Sequence, residues 1–372
     1  MLKQWMPLCL LLLGSSVLAD PDKEIALETL LRQQAASVDA VRTLYAEYTF
    51  RLETTWPTLH TRDGKVEFEG GKVIRGGTSK VWTRGQLVRQ VLETNDYYPE
   101  RDETCLETTE TVSNPVYFVR YLKSMHIAEL YPVASFINAS EAHRAHVNEV
   151  LGVNLLHYGF TVGGDGTSLL GIFAHHQKHF PDYFSWKVTG GRNNAPYQLE
   201  VWGDDDEGRW RSREIVIDPA RGFLITSYRD YRRNGDLRCE ITVEPRRVTP
   251  YTWFPMKVKD WMEDDRKLEI EVTRIEVNKG IPDSEFTLDT MTFPREETVL
   301  NEHTRGGSMT AKGYYRGAWI PKHLWPQEMK QHIDFVMSDL DFSGGGVHSG
   351  TWRQGKVTQD TIEPEAVMVV RP

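Results

Sequence analysis

The sequence predicts an α+β fold around a large antiparallel sheet, one that must close, curl or be covered, with one helix ahead of the strands and a helical insert. Three observations carry that expectation. A helical apolar period near the N-terminus changes to a period of two at Leu44. Four strand-length segments joined by short turns fill 223–277. The stretch between about 114 and 182 reads as a helical insert.

The first element is residues 1–19, MLKQWMPLCLLLLGSSVLA. Lys3 precedes an apolar run from Met6 to Leu13, and small residues with Val17 and Ala19 stand before Asp20. That is the pattern of a secretory signal peptide, whose apolar core is too short to span a bilayer. Cys9 lies inside the run, not after a cleavage box, which excludes a lipoprotein reading. The expected mature chain is exported to the periplasm and has no transmembrane segment. Next, Ile25, Leu27, Leu30, Leu31, Ala35, Val38 and Val41 fall near one stripe of a helix over 22–43.

At Leu44 the period becomes two. Leu44, Ala46, Tyr48, Phe50 and Leu52 alternate with Tyr45, Glu47, Thr49, Arg51 and Glu53, giving a strand with one buried and one wet face. Strands follow at 64–74, with Val66 and Phe68 on one face, at 78–84 and at 86–94. Asp63-Gly64, Gly76-Gly77 and Arg84-Gly85 separate them as turns of an antiparallel meander. In the insert, PVYFVRYLKSMHIAELY and SEAHRAHVNEVLGV read as helices, the second with Ser140 as N-cap, and GTSLLGIFAHHQKHF as a third. Strands resume at 184–189, 197–202 and 210–218.

GFLITSYRDYRR, LRCEITVEPRR, WFPMKVKDWME and RKLEIEVTRIEVN then alternate strongly. Leu268, Ile270 and Val272 share one face opposite Glu269, Glu271 and Thr273. Their connections are too short for parallel crossovers, so they form a meander. The sheet domain is thus expected over 20–302. A C-terminal extension, 303–372, carries Tyr314, Tyr315, Trp319 and Trp325 ahead of a helical stripe of Met329, Ile333, Val336 and Leu340. It is expected to pack over the sheet opening or to form a partner surface.

The exported start with a helix after it, the TLYAEYTF strand, DPARGFLITSYRDY, WFPMKVKDW and IEVNKGIPDSEFTL resemble the LolA/LolB-like periplasmic lipoprotein-carrier superfamily over roughly 22–300. The resemblance implies an unclosed, strongly curved sheet whose concave face is covered by helices and holds acyl chains. The last of those segments also reads physically as an edge ending. Gly280-Ile281-Pro282 stops the ladder, Asp283 or Ser284 caps a helical turn, and Phe286 folds back as an apolar plug.

The chain carries 44 bases and 53 acids, net −9, which argues against nucleic acid or an anionic membrane as partner. Chemical motifs are weak. His143 and His146, and the group His175, His176 and His179, lack the further ligands of a zinc site and read as surface histidines. Asp204-Asp205-Asp206-Glu207 lacks calcium-loop spacing and reads as a solvated turn, and Gly163-Gly164-Asp165-Gly166 as a glycine turn. Asn138-Ala139-Ser140 fits a glycosylation sequon, relevant only to a eukaryotic secretory path. Cys105 and Cys239 form either a disulfide or two unpaired thiols.

What remains is the apolar face of the sheet. Tyr48, Phe50, Val66, Phe68, Leu268, Ile270 and Val272 are the candidate lining of a lipid-binding cavity. The leading expectation is a non-enzymatic binding protein without cofactor or metal, holding lipid or lipoprotein acyl chains. A regulatory, envelope-stress module that contacts a membrane-anchored partner is the second reading, and an exported metal-dependent hydrolase the third.

Overall fold

The computed structural model describes residues 27–333 except 57–58, 61–65, 69–70, 86, 99–102, 133–154, 156–157, 162–167, 264–265, 304–308, 328 and 332. Helix α1 (Leu27–Asp39) leads into β1 (Thr43–Trp56). A small ribbon follows, β2 (Leu59–His60) with β3 (Val66–Phe68). Then come β4 (Gly71–Arg84), β5 (Leu87–Tyr98), β6 (Glu103–Ser113), β7 (Tyr117–Leu122) and β8 (Ile127–Pro132). Helix α2 (Leu169–His179) precedes β9 (Phe184–Gly190), β10 (Tyr197–Asp205) and β11 (Gly208–Asp218). After these run β12 (Leu224–Tyr231), β13 (Leu237–Thr249), β14 (Thr252–Met262) and β15 (Arg266–Val277). The last described strands are β16 (Val299–His303), β17 (Met309–Tyr315) and β18 (Ala318–Pro321).

Sixteen strands make one open sheet in the order β18-β17-β16-β8-β7-β6-β5-β4-β1-β15-β14-β13-β12-β11-β10-β9. Every described pairing in it is antiparallel except β8 with β16. The sheet is not closed into a barrel and is preceded by a helix, as the sequence leads one to expect.

Alternation gives the sheet two faces. On the inner face, α1 (through Leu30 and Leu31) and α2 (through Leu169) pack over Leu199, Ile215, Ile217, Ile225 and Tyr228 of β10–β12. Ser168 caps α2, its Oγ accepting from the Gly171 N–H at 3.0 Å. On the outer face, Met291 and Phe293 cover β6–β8, packing with Leu300 of the neighbouring β16 on Val112, Val119, Tyr121 and Ala128. Arg89 ties this cover down, bridging Glu110 at 3.1 Å and Glu285 at 2.7 Å.

Four expectations need correction. The segment from Tyr117 to Pro132, read as helical, is the hairpin β7–β8. It is buried on both faces, so its sequence shows a dense apolar run in place of clean alternation. Gly76-Gly77 is no turn but the middle of β4, opposite Arg51 and Phe50. A side chain at Gly77 would run into the Glu93 carbonyl oxygen, and the Phe50 ring lies against that spot. IEVNKGIPDSEFTL does not end an edge: β15 is interior, between β1 and β14. Phe286 is nonetheless the buried plug expected, although neither Asp283 nor Ser284 caps its turn. Finally, Val66 and Phe68 belong to the separate β2–β3 ribbon, not to the main sheet. The helix read at 140–153, with Ser140, lies outside the described residues.

The C-terminal segment adds strands. Residues 299–321 extend the sheet beyond β8, and Trp325, Met329 and Ile333 form a small core against Val299, Tyr315 and Ile320. Val336 and Leu340 lie outside the described residues.

Candidate functional site

The candidate lining residues of β1 and β15 are brought together by register. Tyr48 faces Val272, Phe50 faces Ile270 and Leu52 faces Leu268, with a bulge at Glu47/Tyr48. Tyr48, Phe50, Leu268, Ile270 and Val272 are all buried in one cluster with Val243, Phe254 and Val258 of β13 and β14. Leu155, Tyr158 and Phe160 cover this stripe, with Phe160 and Phe254 ring centroids 5.5 Å apart. The stripe is therefore filled here by the protein's own side chains.

The cover is fastened by three polar bonds. Gln34 Nε2 of α1 donates to the Phe160 carbonyl at 2.6 Å. The Ile225 N–H donates to the Gly159 carbonyl at 2.8 Å. Tyr158 Oη donates to Asp260 Oδ2 at 3.1 Å. Gly159 sits at φ 79°, a left-handed conformation that glycine adopts without penalty.

Asp260 is the unusual member. Its side chain faces inward beside Ile241 and Leu268. Burial raises its pKa, opposed by Arg266 at 3.6 Å and by the Tyr158 hydroxyl. Its Oδ1 is buried with no hydrogen-bond partner among the described residues. Burial, and then Asp260, push the Tyr158 hydroxyl upward as well. Cys239, nearby on β13, is a free buried thiol pushed up to about 12, first by burial and then by Asp260 and Asp230. A bridge to Cys105 is thus not made. Five strands separate β6 from β13 in the sheet order, and the Cys105 side chain lies outside the described residues.

From β4 onward the same inner face turns polar. The row that starts at Ala46 runs through Val81, Gln90, Thr111 and Arg120 to Glu129. Gln90 Nε2 contacts Tyr48 Oη at 3.1 Å and Ser79 Oγ at 2.9 Å, marking the boundary between the halves. Burial holds the Tyr48 hydroxyl near a pKa of about 12. Beyond it, Arg120 pairs with Glu129 at 2.6 Å and Arg75 with Asp96 in a two-pronged contact at 2.8 and 2.6 Å.

Among the described residues, no group of His, Cys, Asp and Glu could hold a metal ion. His143, His146 and the 163–166 glycines lie outside them. His176, expected at the surface, is buried instead. It stacks on Phe184 at 3.9 Å, accepts at Nδ1 from Trp186 Nε1 at 3.3 Å, and burial lowers its pKa to about 4. Asp205–Glu207 is the solvated turn expected, with Arg233 paired to Asp205 and Glu207. The sequence reading missed Tyr158, Phe160, Phe254 and Asp260. Only the last two left a signal: Phe254, Met256, Val258 and Asp260 share one alternation, which puts a carboxylate at an inward position.

No protein-family model matches the chain, and no curated protein does. Among solved structures it is similar to an outer-membrane lipoprotein-sorting protein domain from Vibrio parahaemolyticus. That likeness has 11% identity and a TM-score of 0.36, and covers 71% of this chain and 97% of that one. It is also similar to a LolA-superfamily protein from Nitrosomonas europaea, at 9% identity and a TM-score of 0.33 over 72% and 100% of the two chains. A DUF1329 family protein from Desulfovibrio piger follows at 12% and 0.30, over 71% and 97%.

Proposed function

We propose that this chain is an exported, periplasmic carrier that holds lipid or lipoprotein acyl chains against the apolar half of its inner face. The observation that supports this reading is the stripe of Tyr48, Phe50, Leu268, Ile270 and Val272 under a cover of Leu155, Tyr158 and Phe160, which is fastened by three polar bonds. An acyl chain would take the place of Leu155, Tyr158 and Phe160 when the cover lifts. Each methylene buried is worth roughly 0.8 kcal/mol, so a chain of lipid length offsets the contacts it displaces without any specific polar recognition. In this reading the protein binds and releases and carries out no reaction.

The test is lipid analysis of the protein purified from its native envelope, by native mass spectrometry and solvent extraction. A bound lipid or acylated peptide mass is expected. Protein that carries none, and takes up no fluorescent fatty acid at micromolar concentration, overturns the reading.

A further inference from the structure

The registers set the ends of the strands along two rims, and the rims differ in charge. One rim gathers the β10–β11, β12–β13 and β14–β15 turns, with Asp204, Asp206, Glu207, Asp236 and Glu263 exposed. The arginines there are engaged: Arg232 pairs with Glu263, and Arg233 with Asp205. The other rim gathers the start of β1, the β9–β10, β11–β12 and β13–β14 turns, and the exit from β15. Exposed on it are Arg42, Arg192, Arg221, Arg246, Arg247 and Lys279, together with the acids Asp39, beside Arg42 and Lys279, and Asp283, which is paired with Arg84. Arg221 pairs with Asp218 and Lys279 with Glu276. Arg42, Arg192, Arg246 and Arg247 form no ion pair with a described residue.

The β13–β14 tip stands out on this rim. Tyr251 is 94% exposed, the most exposed large apolar side chain among the described residues. Beside it, Arg247 Nε donates to the Pro250 carbonyl at 3.0 Å, holding the guanidinium at the turn. Val116, 70% exposed, tops the β6–β7 turn on the same rim. Singly exposed apolar residues need no explanation. A tyrosine ring flanked by two uncompensated arginines is a different object, because amphipathic rings and cations both favour the headgroup layer of a bilayer.

The net charge of −9 does not forbid this. β14 has eleven residues, so the rims stand about 35 Å apart. The Debye length at 0.1 M salt is about 10 Å. A surface touching one rim therefore barely feels the acids on the other.

We propose that the rim of Arg246, Arg247 and Tyr251 docks on an anionic phospholipid bilayer, standing the strands upright on it. The inference does not depend on the carrier reading, since docking needs no cargo.

The test is co-sedimentation of the full chain with vesicles of phosphatidylcholine, with and without about one-third phosphatidylglycerol. The ratio of binding to the two is read for each variant, so that residues 6–13, common to all, cancel. Wild type is expected to favour the anionic vesicles at low salt and to lose that preference near 0.5 M salt. The double variant R246S/R247S should bind anionic vesicles about twenty-five-fold less, at roughly five-fold per arginine. Tyr251→Ser should lose less, and Asp206→Ser on the opposite rim nothing. Unchanged circular dichroism melts keep folding out of the comparison. Equal binding to both vesicles overturns the proposal, as does anionic binding untouched in R246S/R247S. Retention in native envelopes that needs these arginines while anionic vesicles do not bind would assign the rim to an acidic protein partner instead.

Discussion

Between β10 and β1 the inner face is built from Leu199, Ile215, Val258, Ile270, Phe50 and their neighbours, and short helices with Leu155, Tyr158 and Phe160 cover it. Between β4 and β8 the same alternation on the same face carries Ser79, Gln90, Thr111, Arg120 and Glu129. Both halves are largely buried, so they are held by different physics. In the apolar half, contacts are numerous, non-directional and tolerant of replacement by any chain of similar shape. In the polar half Gln90, Arg75 and Arg120 have fixed partners in Tyr48 and Ser79, Asp96 and Glu129, and burial without them is costly. The difference teaches where exchange of the filling is cheap. An acyl chain can stand in for Phe160 against Phe254, whereas nothing apolar can stand in for Glu129 against Arg120.

The largest test of that contrast is in the apolar half. Phe254→Ala removes a fully buried ring from beneath Phe160 and should cost about 3–5 kcal/mol in urea denaturation. Added fatty acid should recover part of the loss, because the cavity left is apolar. A loss below 1 kcal/mol would mean that the stripe is loosely filled.

In the polar half the pattern should invert. Arg120→Met strands the Glu129 carboxylate and should cost about 3 kcal/mol. R120M/E129L removes both charges and should regain most of it, with no benefit from fatty acid. Should the double variant be as unstable as the single one, the ion pair is not what holds this half.

Asp260 is a polar exception inside the apolar half, and its contribution is a pH slope. Burial raises its folded pKa above the ordinary aspartate range, so the folded state favours the protonated form. Its contribution is therefore greatest below that range and is lost as pH rises through the folded pKa. Relative to Asp260→Asn, wild type should lose stability steadily on going from acid towards neutral pH. Parallel stability curves for the two proteins would show that the carboxylate is solvated.

The two halves also differed in how far the sequence could be read. The 223–277 meander was legible because one face of each strand is apolar and the other wet, so alternation carried both strand and register. β7 and β8 were not, because covers on both faces erase alternation: Phe118 and Leu122 are buried on one side, Val119 and Tyr121 on the other. Gly76-Gly77 looked like a turn because what requires glycine there, the Glu93 carbonyl across the ladder, is a neighbour distant in sequence. The stripe residues of β1 and β15 were found by periodicity. Tyr158 and Phe160, which fill the stripe, lie in a segment with no period at all.

The smallest predicted effect bears on whether the apolar half opens. Tyr158→Phe keeps the ring in the stripe and deletes only its bond to Asp260. Net, such a bond is worth about 1 kcal/mol, and its loss leaves Asp260 with Arg266 at 3.6 Å as its remaining polar contact among the described residues. If the cover lifts as a unit, that loss appears in the opening equilibrium as well as in global stability, so fluorescent fatty acid uptake should quicken about five-fold at a rate nearly independent of urea below the unfolding transition. If the segment leaves only on global unfolding, uptake should rise with urea along the slope of global unfolding. That second outcome would make the two halves alike in their rigidity, leaving chemical character as their one difference.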